Sequence, residues 1–293
     1  MSDAVAVGLV GAGPWAGMVH APVLAAGPST RLAGVWARRP DASARLAAEH
    51  GAPAFARIEE LFDACEAVAF CVPPDVQAGL AARAARAGKA VLLEKPLAMD
   101  LDGARRLAAA AAVAEAGVVS QMVFSLRYSR AARAFVDRAR ALEPFGGHGT
   151  FITSGLKGGP FATPWRLEKG PLLDYGPHII DLLDAALGRV TAVHAHGDRL
   201  AWVALTLEHE GGATSQASLS MAREDEPVPP RVEVYGRKGT AQIDWSELDD
   251  DAFPVMAAEF AAAVRGGPRP PLDAAHGLRI QEILAAAEAR LTG

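Results

Sequence analysis

The first 124 residues alternate short, wholly apolar runs with longer stretches of helical periodicity. AVAVGLVG (4–11), RLAGVWA (31–37), AVAFCV (67–72), AVLLEKP (90–96) and VVSQMVF (118–124) read as strands bounded by glycine, proline or charge. Between them PWAGMVHAPVLAA (14–26), PDASARLAAEHG (40–51), PDVQAGLAARAARAGK (74–89) and LDGARRLAAAAAVAEAG (101–117) read as helices, with a shorter one at IEELFDA (58–64). Strands with no polar face need cover on both sides, which a parallel sheet with crossover helices provides. The pattern predicts a doubly wound α/β domain.

Past residue 124 the period changes. FSLRYSRAARAFVDRARAL (124–142) crosses from the last of these strands into a helix, and GHGTFITSGLKGG (147–159) reads as a strand running into a glycine-rich loop. GPLLDYGPHIIDLLDAALG (170–188) then reads as a mostly buried helix. RVTAVHAHGD, LAWVALTLEHE, GATSQASLSMA, RVEVYG and GTAQIDW follow as short, partly alternating strands with tight turns, GRKG (236–239) among them. They predict a mainly antiparallel sheet. REDEPVPP (223–230) is expected as a surface loop. The division expected is 1–120 for the first domain and 121–293 for the second, with the closing helices free to pack back on the first. One face of the second sheet needs a cover beyond its own helices, which points to a homodimer or homotetramer through that sheet.

Composition narrows the class. Hydrophobic residues are 51% of the chain and the net charge is −5, with no Lys/Arg block to serve as a nucleic-acid footprint. No basic leader opens the chain and no apolar run reaches the ~20 residues of a membrane span. A cytoplasmic protein is expected. Cys65 and Cys71 lie in or beside an apolar run without a partner motif and read as small buried hydrophobes. His194 and His196 share one strand face but have no further ligand, so no metal is expected.

Chemistry enters at the first strand-to-helix junction. Gly11-x-Gly13-x-x-Ala16 supplies a tight turn, a close backbone approach and a small packing residue, with Pro14 and Trp15 in the same loop. Helix N–H groups there would face a pyrophosphate. Where an acid usually grips a ribose 2′-OH, this chain has Ala37 followed by Arg38 and Arg39. An acid repels a 2′-phosphate and a guanidinium grips one, so NADP is preferred to NAD.

Lys95 follows a strand's carboxyl end, where open parallel sheets hold ligands. Its ammonium is suited to stabilise a developing alkoxide, and Pro96 restricts its backbone. His178 exchanges protons near neutral pH. Asp174, four residues before it, is placed to orient the imidazole, to bind substrate hydroxyls or to cap the helix, and the sequence leaves the three open. Asp181 lies within reach of His178, whereas Asp184 is expected to be a solvated charge. Arg127 and Tyr128 stand at a strand-to-helix junction from which a cleft is accessible, and Tyr128 is expected among the substrate-binding residues.

AGKAVLLEKPLAMD (87–100), the glycine loop, WR…GPLLDYGPHIIDLL and the closing helical stretch (256–289) together resemble the glucose–fructose oxidoreductase, inositol dehydrogenase and MocA-type family. The resemblance spans nearly the whole chain. It implies a Rossmann domain followed by an α/β domain with an open, largely antiparallel sheet. It also implies hydride transfer between a nicotinamide and a sugar, cyclitol or related hydroxyl or ketone. Lys95, Asp174 and His178 would be the catalytic constellation, which also touches substrate. Pro73, Glu94 and Lys95 would lie near the cofactor, and Trp165 and Arg166 would border it. The chain departs from the family pattern at Val72-Pro73-Pro74 and Gln77, where Thr-Pro-Asn and a later His are usual. Gln77 is expected to take over on the cofactor side. Lys169-Gly170-Pro171 replaces a run of three glycines and is expected as a stiffened loop. Two rival activities share these residues, a nicotinamide-assisted glycosidase and a non-catalytic dinucleotide-sensing regulator.

Overall fold

The computed structural model describes residues 4–113, 118–155, 158–159, 162–225, 228–249 and 251–291. The chain divides into two compact units, Met1–Val123 with Phe253–Arg279, and Phe124–Ala252 with Ile280–Gly293.

The first unit is built on a parallel sheet of five strands, β1 (Val5–Val10), β2 (Thr30–Trp36), β3 (Ala67–Phe70), β4 (Ala90–Leu93) and β5 (Ser120–Met122), in the order β2-β1-β3-β4-β5. Every residue of β1, β3 and β4 is buried, as the wholly apolar runs require. Helices α1 (Ala21–Ala26), α2 (Pro40–Glu49), α3 (Ile58–Asp63), α4 (Pro74–Arg86) and α5 (Leu101–Val113) are the crossovers. The last four residues of the helix expected over 101–117 lie outside the described residues. So do two pairs in the loop at 155–161 and one pair in the charged loop at 223–230.

The returning segment is tied to this unit by named bonds. Gln121 donates to the Met256 carbonyl at 2.9 Å, and Met122 N–H to that of Leu272 at 2.7 Å. Arg265 grips both oxygens of Glu66, whose Oε2 also accepts from Ala6 N–H at 2.9 Å. That fork holds the Glu66 carboxyl down to about 2, with the Arg265 hydrogen bonds the largest cause.

The second unit carries α6 (Arg130–Ala141), β6 (Pro144–Ile152), α7 (Pro164–Asp174) and α8 (Gly176–Leu187). Strands β7 (Val190–Asp198), β8 (Trp202–His209), β9 (Thr214–Ser220), β10 (Arg231–Gly236) and β11 (Gly239–Asp244) follow. Its six-stranded sheet runs β11-β10-β6-β9-β8-β7; only the β6–β9 pair is parallel. The hairpin at 236–239 forms as expected. Helix α8 lays Ile179, Leu183 and Leu187 over Gly147 and Gly149 of β6. The opposite face presents Thr206, Gln216, His194 and Glu233. Helix α9 (Ala252–Val264) belongs to the first unit apart from its first residue, and α10 (Ala274–Glu288) passes from the first unit to the second after Arg279. Among the described residues no helix is long and apolar enough to cross a membrane.

Candidate active site

The sheet order reverses direction between β1 and β3, and the carboxyl ends of these two strands are where a doubly wound sheet receives its ligand. Gly11 closes β1 there with φ +122°, and a Cβ on it would stand 2.1 Å from the Cys71 carbonyl oxygen. The approach of the two strand ends alone therefore demands glycine. Gly13 is different. A Cβ there would meet nothing within 4 Å, so none of the described residues excludes a side chain. A ligand lying against the backbone supplies the missing reason, and a diphosphate fits it. Ala16 is fully buried, as the packing position requires. Pro73 is exposed at the end of β3, and Arg38 and Arg39 are exposed just past β2. Neither guanidinium has a hydrogen-bond partner among the described residues.

Glu94-Lys95-Pro96 leaves β4 at the same edge of the sheet, with a cis bond between Lys95 and Pro96. Glu94 Oε1 accepts from Trp15 Nε1 at 2.8 Å and from His20 Nε2 at 2.7 Å; Oε2 accepts from Lys95 N–H at 3.2 Å. The glutamate is thus committed to holding its surroundings. Gln77 has a different job from the one expected. It is fully buried, and its amide spans the loop rather than facing a cofactor. Nε2 donates to the carbonyls of Glu94, Pro96 and Leu97 at 2.7, 3.3 and 3.1 Å, while Oε1 accepts from Glu94 N–H at 3.0 Å. Gln77 fixes the backbone that carries Lys95.

In the second unit Asp174 is the last residue of α7, not the first of α8. Oδ2 accepts from Arg166 Nε at 3.0 Å, and Asp174 is only 7% exposed. Arg166 is aligned by Thr163 and lies over the buried Trp165 ring, 4.5 Å from its centroid. Trp165 and Arg166 are therefore the support of Asp174. The Lys169-Gly170-Pro171 stretch is a kink inside α7 rather than a loop; Gly170 has φ +68°, and a Cβ there would lie 2.3 Å from the Arg199 carbonyl.

His178 stands in the first turn of α8, its N–H bonded to the Tyr175 carbonyl at 3.1 Å. Tyr175, between the two expected residues, stacks on Phe151 at 3.9 Å and shares a 2.7 Å hydrogen bond with Thr153 Oγ1. Burial pushes its phenol pKa up, so it stays protonated at neutral pH. The Phe151 ring also lies 6.4 Å from that of His178.

Asp181, which the sequence places within reach of His178, pairs with Arg127 Nη1 at 3.0 Å and is 1% exposed. Two expectations are corrected. Asp184, expected in solvent, is buried and accepts from Val190 N–H at 2.9 Å. Tyr128, expected on the substrate, is buried beneath Arg133. Sequence reasoning missed His20, Tyr175 and the Arg127–Asp181 pair. The position of Tyr175 between Asp174 and His178 was a signal for it; His20 and Arg127 have partners too distant in the chain to show. His194 is exposed and engages Glu208 and Arg290, and no group suited to a metal occurs among the described residues.

Two family models match the chain. One, the oxidoreductase family with NAD-binding Rossmann fold, covers residues 5–122, and the GFO/IDH/MocA C-terminal domain covers 129–242. Inositol 2-dehydrogenase of Rhizobium meliloti (strain 1021) is 30% identical over 251 residues, 80% of this chain and 74% of that protein. D-apiose dehydrogenase of Paraburkholderia graminis is 34% identical over 181 residues, 55% of this chain and 46% of that protein. The structure of GenD2 from gentamicin A biosynthesis in complex with NAD has a TM-score of 0.86 at 25% identity, covering 98% of this chain and 94% of its own. The WlbA dehydrogenase of Bordetella pertussis, solved with NADH and UDP-GlcNAcA, shares the fold with a TM-score of 0.86 at 22% identity, covering 98% and 96%.

Proposed function

The chain belongs to the Gfo/Idh/MocA oxidoreductase family, and from that premise we propose that it transfers hydride between NADP, in preference to NAD, and a sugar-like, cyclitol or cyclic alcohol or ketone. The observation that carries the reading is the contrast between Gly11, which the approach of Cys71 demands, and Gly13, for which the described residues supply no steric reason.

The dinucleotide, when bound, supplies or accepts the hydride. Gly11 through Ala16 and Pro73 would hold its diphosphate side, and Arg38 and Arg39 its 2′-phosphate. In the reducing direction negative charge builds on the substrate oxygen. The Lys95 ammonium donates a hydrogen bond to that oxygen and stabilises it. His178 gives up the proton that completes the alcohol and takes it back in the reverse direction, with Asp174 setting its orientation and charge. Arg166 pairs with the nearly buried Asp174 and so offsets the cost of burying a carboxylate there. The residues exposed on the open face of the second sheet, Trp202 and Tyr235 among them, fit pairing with a second copy of the chain.

A panel of sugars, cyclitols, diols and carbonyls, followed at the reduced-nicotinamide absorbance, identifies the substrate. With that substrate, Lys95→Met is expected to lose roughly 10²- to 10⁴-fold in turnover while still binding dinucleotide. Full turnover in Lys95→Met overturns the mechanism. NADPH is expected to bind more tightly than NADH, and Arg38→Ala to remove the difference. Equal affinity in the unaltered protein rejects the NADP assignment.

A further inference from the structure

The helix after the glycine loop is not an α-helix throughout. Over Ala16–His20 it widens into a π turn, closed by the Ala21 N–H on the Ala16 carbonyl. In an α-helix, residues five apart point about 140° away from each other, because each residue advances the chain by about 100°. An i→i+5 turn absorbs the extra residue and brings such a pair back toward one face. Trp15 and His20 are five apart, and both end on the same atom, Glu94 Oε1, at 2.8 and 2.7 Å.

His20 is 1% exposed, and its Nδ1 is buried with no hydrogen-bond partner among the described residues. Burying an imidazole half-satisfied is unfavourable, so its Nε2–H bond to the carboxylate is the compensation that keeps it there. A regular helix would spare the chain both the π turn and the orphaned nitrogen, but would turn His20 away from Glu94. The turn is what brings His20 and Trp15 onto Glu94 together. The other oxygen of Glu94 accepts the backbone N–H of Lys95 at 3.2 Å, and Gln77 holds the backbone around it. A continuous chain of bonds runs from Trp15, two residues past Gly13, through one carboxylate to the peptide of Lys95.

We propose that Glu94, gripped by Trp15 and His20, is a positioning residue that couples occupancy of the glycine loop by a dinucleotide diphosphate to the placement of Lys95. This deepens the proposed function and rests on its reading of the loop as the dinucleotide site. A diphosphate settling on Gly11–Trp15 restricts the Trp15 indole, which restricts Glu94, which restricts the Lys95 peptide. Lys95 is thereby ordered when hydride chemistry is possible, and misplacements of about an ångström are what such chemistry tolerates least.

Hydrogen exchange of the full chain, followed by mass spectrometry on the peptide spanning 93–98, tests this with and without NADPH and NADH. Trp15→Phe keeps the ring packed on Phe253 and removes only the N–H. His20→Leu removes the imidazole, and His20→Gln returns an N–H of similar reach. Without dinucleotide, Trp15→Phe and His20→Leu are expected to exchange the Lys95 amide roughly tenfold faster, as loss of a hydrogen bond to a charged group implies, and His20→Gln to restore protection. Dinucleotide is expected to slow exchange at both 11–16 and 93–98 in the unaltered protein. In Trp15→Phe it should slow 11–16 alone, an uncoupling that general destabilisation would not produce. Folded variants with unchanged exchange at 93–98, or a Trp15→Phe protein that keeps the dinucleotide response there, overturn the proposal. If neither dinucleotide slows 11–16 in the unaltered protein, the dinucleotide reading and the coupling both fail. The ligand-free arm then still decides whether Glu94 holds Lys95.

Discussion

Two glycines in one loop should respond oppositely to the same change. Gly11→Ala places a methyl 2.1 Å from the Cys71 carbonyl oxygen, whereas Cβ contacts under 3.0 Å essentially never occur. The ends of β1 and β3 must part by roughly an ångström, an overpacking that costs about 1–3 kcal/mol. Alanine at φ +122° adds about 1–3 kcal/mol of backbone strain. The sum, about 2–6 kcal/mol in a unit of roughly 150 residues, corresponds to a fall in Tm of about 5–20 °C. Gly13→Ala places its methyl in open space, so its stability should stay within about 0.5 kcal/mol of the parent. That methyl occupies the ground a diphosphate needs, and overpacking of about 1–3 kcal/mol weakens binding by about 5- to 150-fold. Scanning calorimetry reads the first effect, and titration of NADPH by nicotinamide fluorescence reads the second. If Gly13→Ala melts as early as Gly11→Ala, or binds NADPH as well as the parent, Gly13 is an ordinary turn glycine and the ligand argument is wrong.

The second unit offers two more tests. Arg166→Leu strips the nearly buried Asp174 of its guanidinium and is expected to cost about 2–4 kcal/mol, whereas Asp174→Asn should cost less stability but greatly lower turnover; urea unfolding beside kinetics separates them, and an unchanged midpoint for Arg166→Leu would show that the pair is not a buried one. His209 is buried between the Gly188 carbonyl and Ser215, and burial lowers its pKa, so the folded state favours the neutral ring. The unfolded chain then binds a proton more readily as pH falls below its ordinary value of about 6.5. Stability contributed by neutral His209 is complete above that pH and is lost below it. Thermal melts from pH 7.5 to 5 should show a decline that flattens in His209→Gln, and the same slope in both proteins would refute the assignment.

What the sequence disclosed and what it hid divide by the range of the interaction. The five parallel strands were legible because being covered on both faces leaves a mark on every residue of a strand, and that mark needs no knowledge of the partner. Gly11 and Gly13 were legible together, yet their different reasons were not, since only the approach of Cys71 tells them apart. A helix with one apolar stripe implies one wet face, and on that ground alone Asp184 points to solvent. In the fold α8 lies on the sheet and meets α6 and α7 as well, so its polar positions are buried and find partners, Asp181 with Arg127 and Asp184 with the Val190 amide. A cap at a helix start is one of the three roles the sequence leaves open for Asp174. The chain absorbs Gly170-Pro171 as a kink within α7, which puts Asp174 at that helix's end, where its carboxylate takes Arg166. Gln77 is the plainest case. Glutamine on a helix after a strand has no local feature that distinguishes a cofactor contact from a backbone clamp. Its partners lie 17 to 20 residues on, in a turn whose carbonyls cannot pair within the sheet. Buried carbonyls must find donors somewhere, so the irregular turn that presents Lys95 itself creates the requirement that Gln77 meets. Gln77→Leu should therefore disturb Lys95 without touching any ligand.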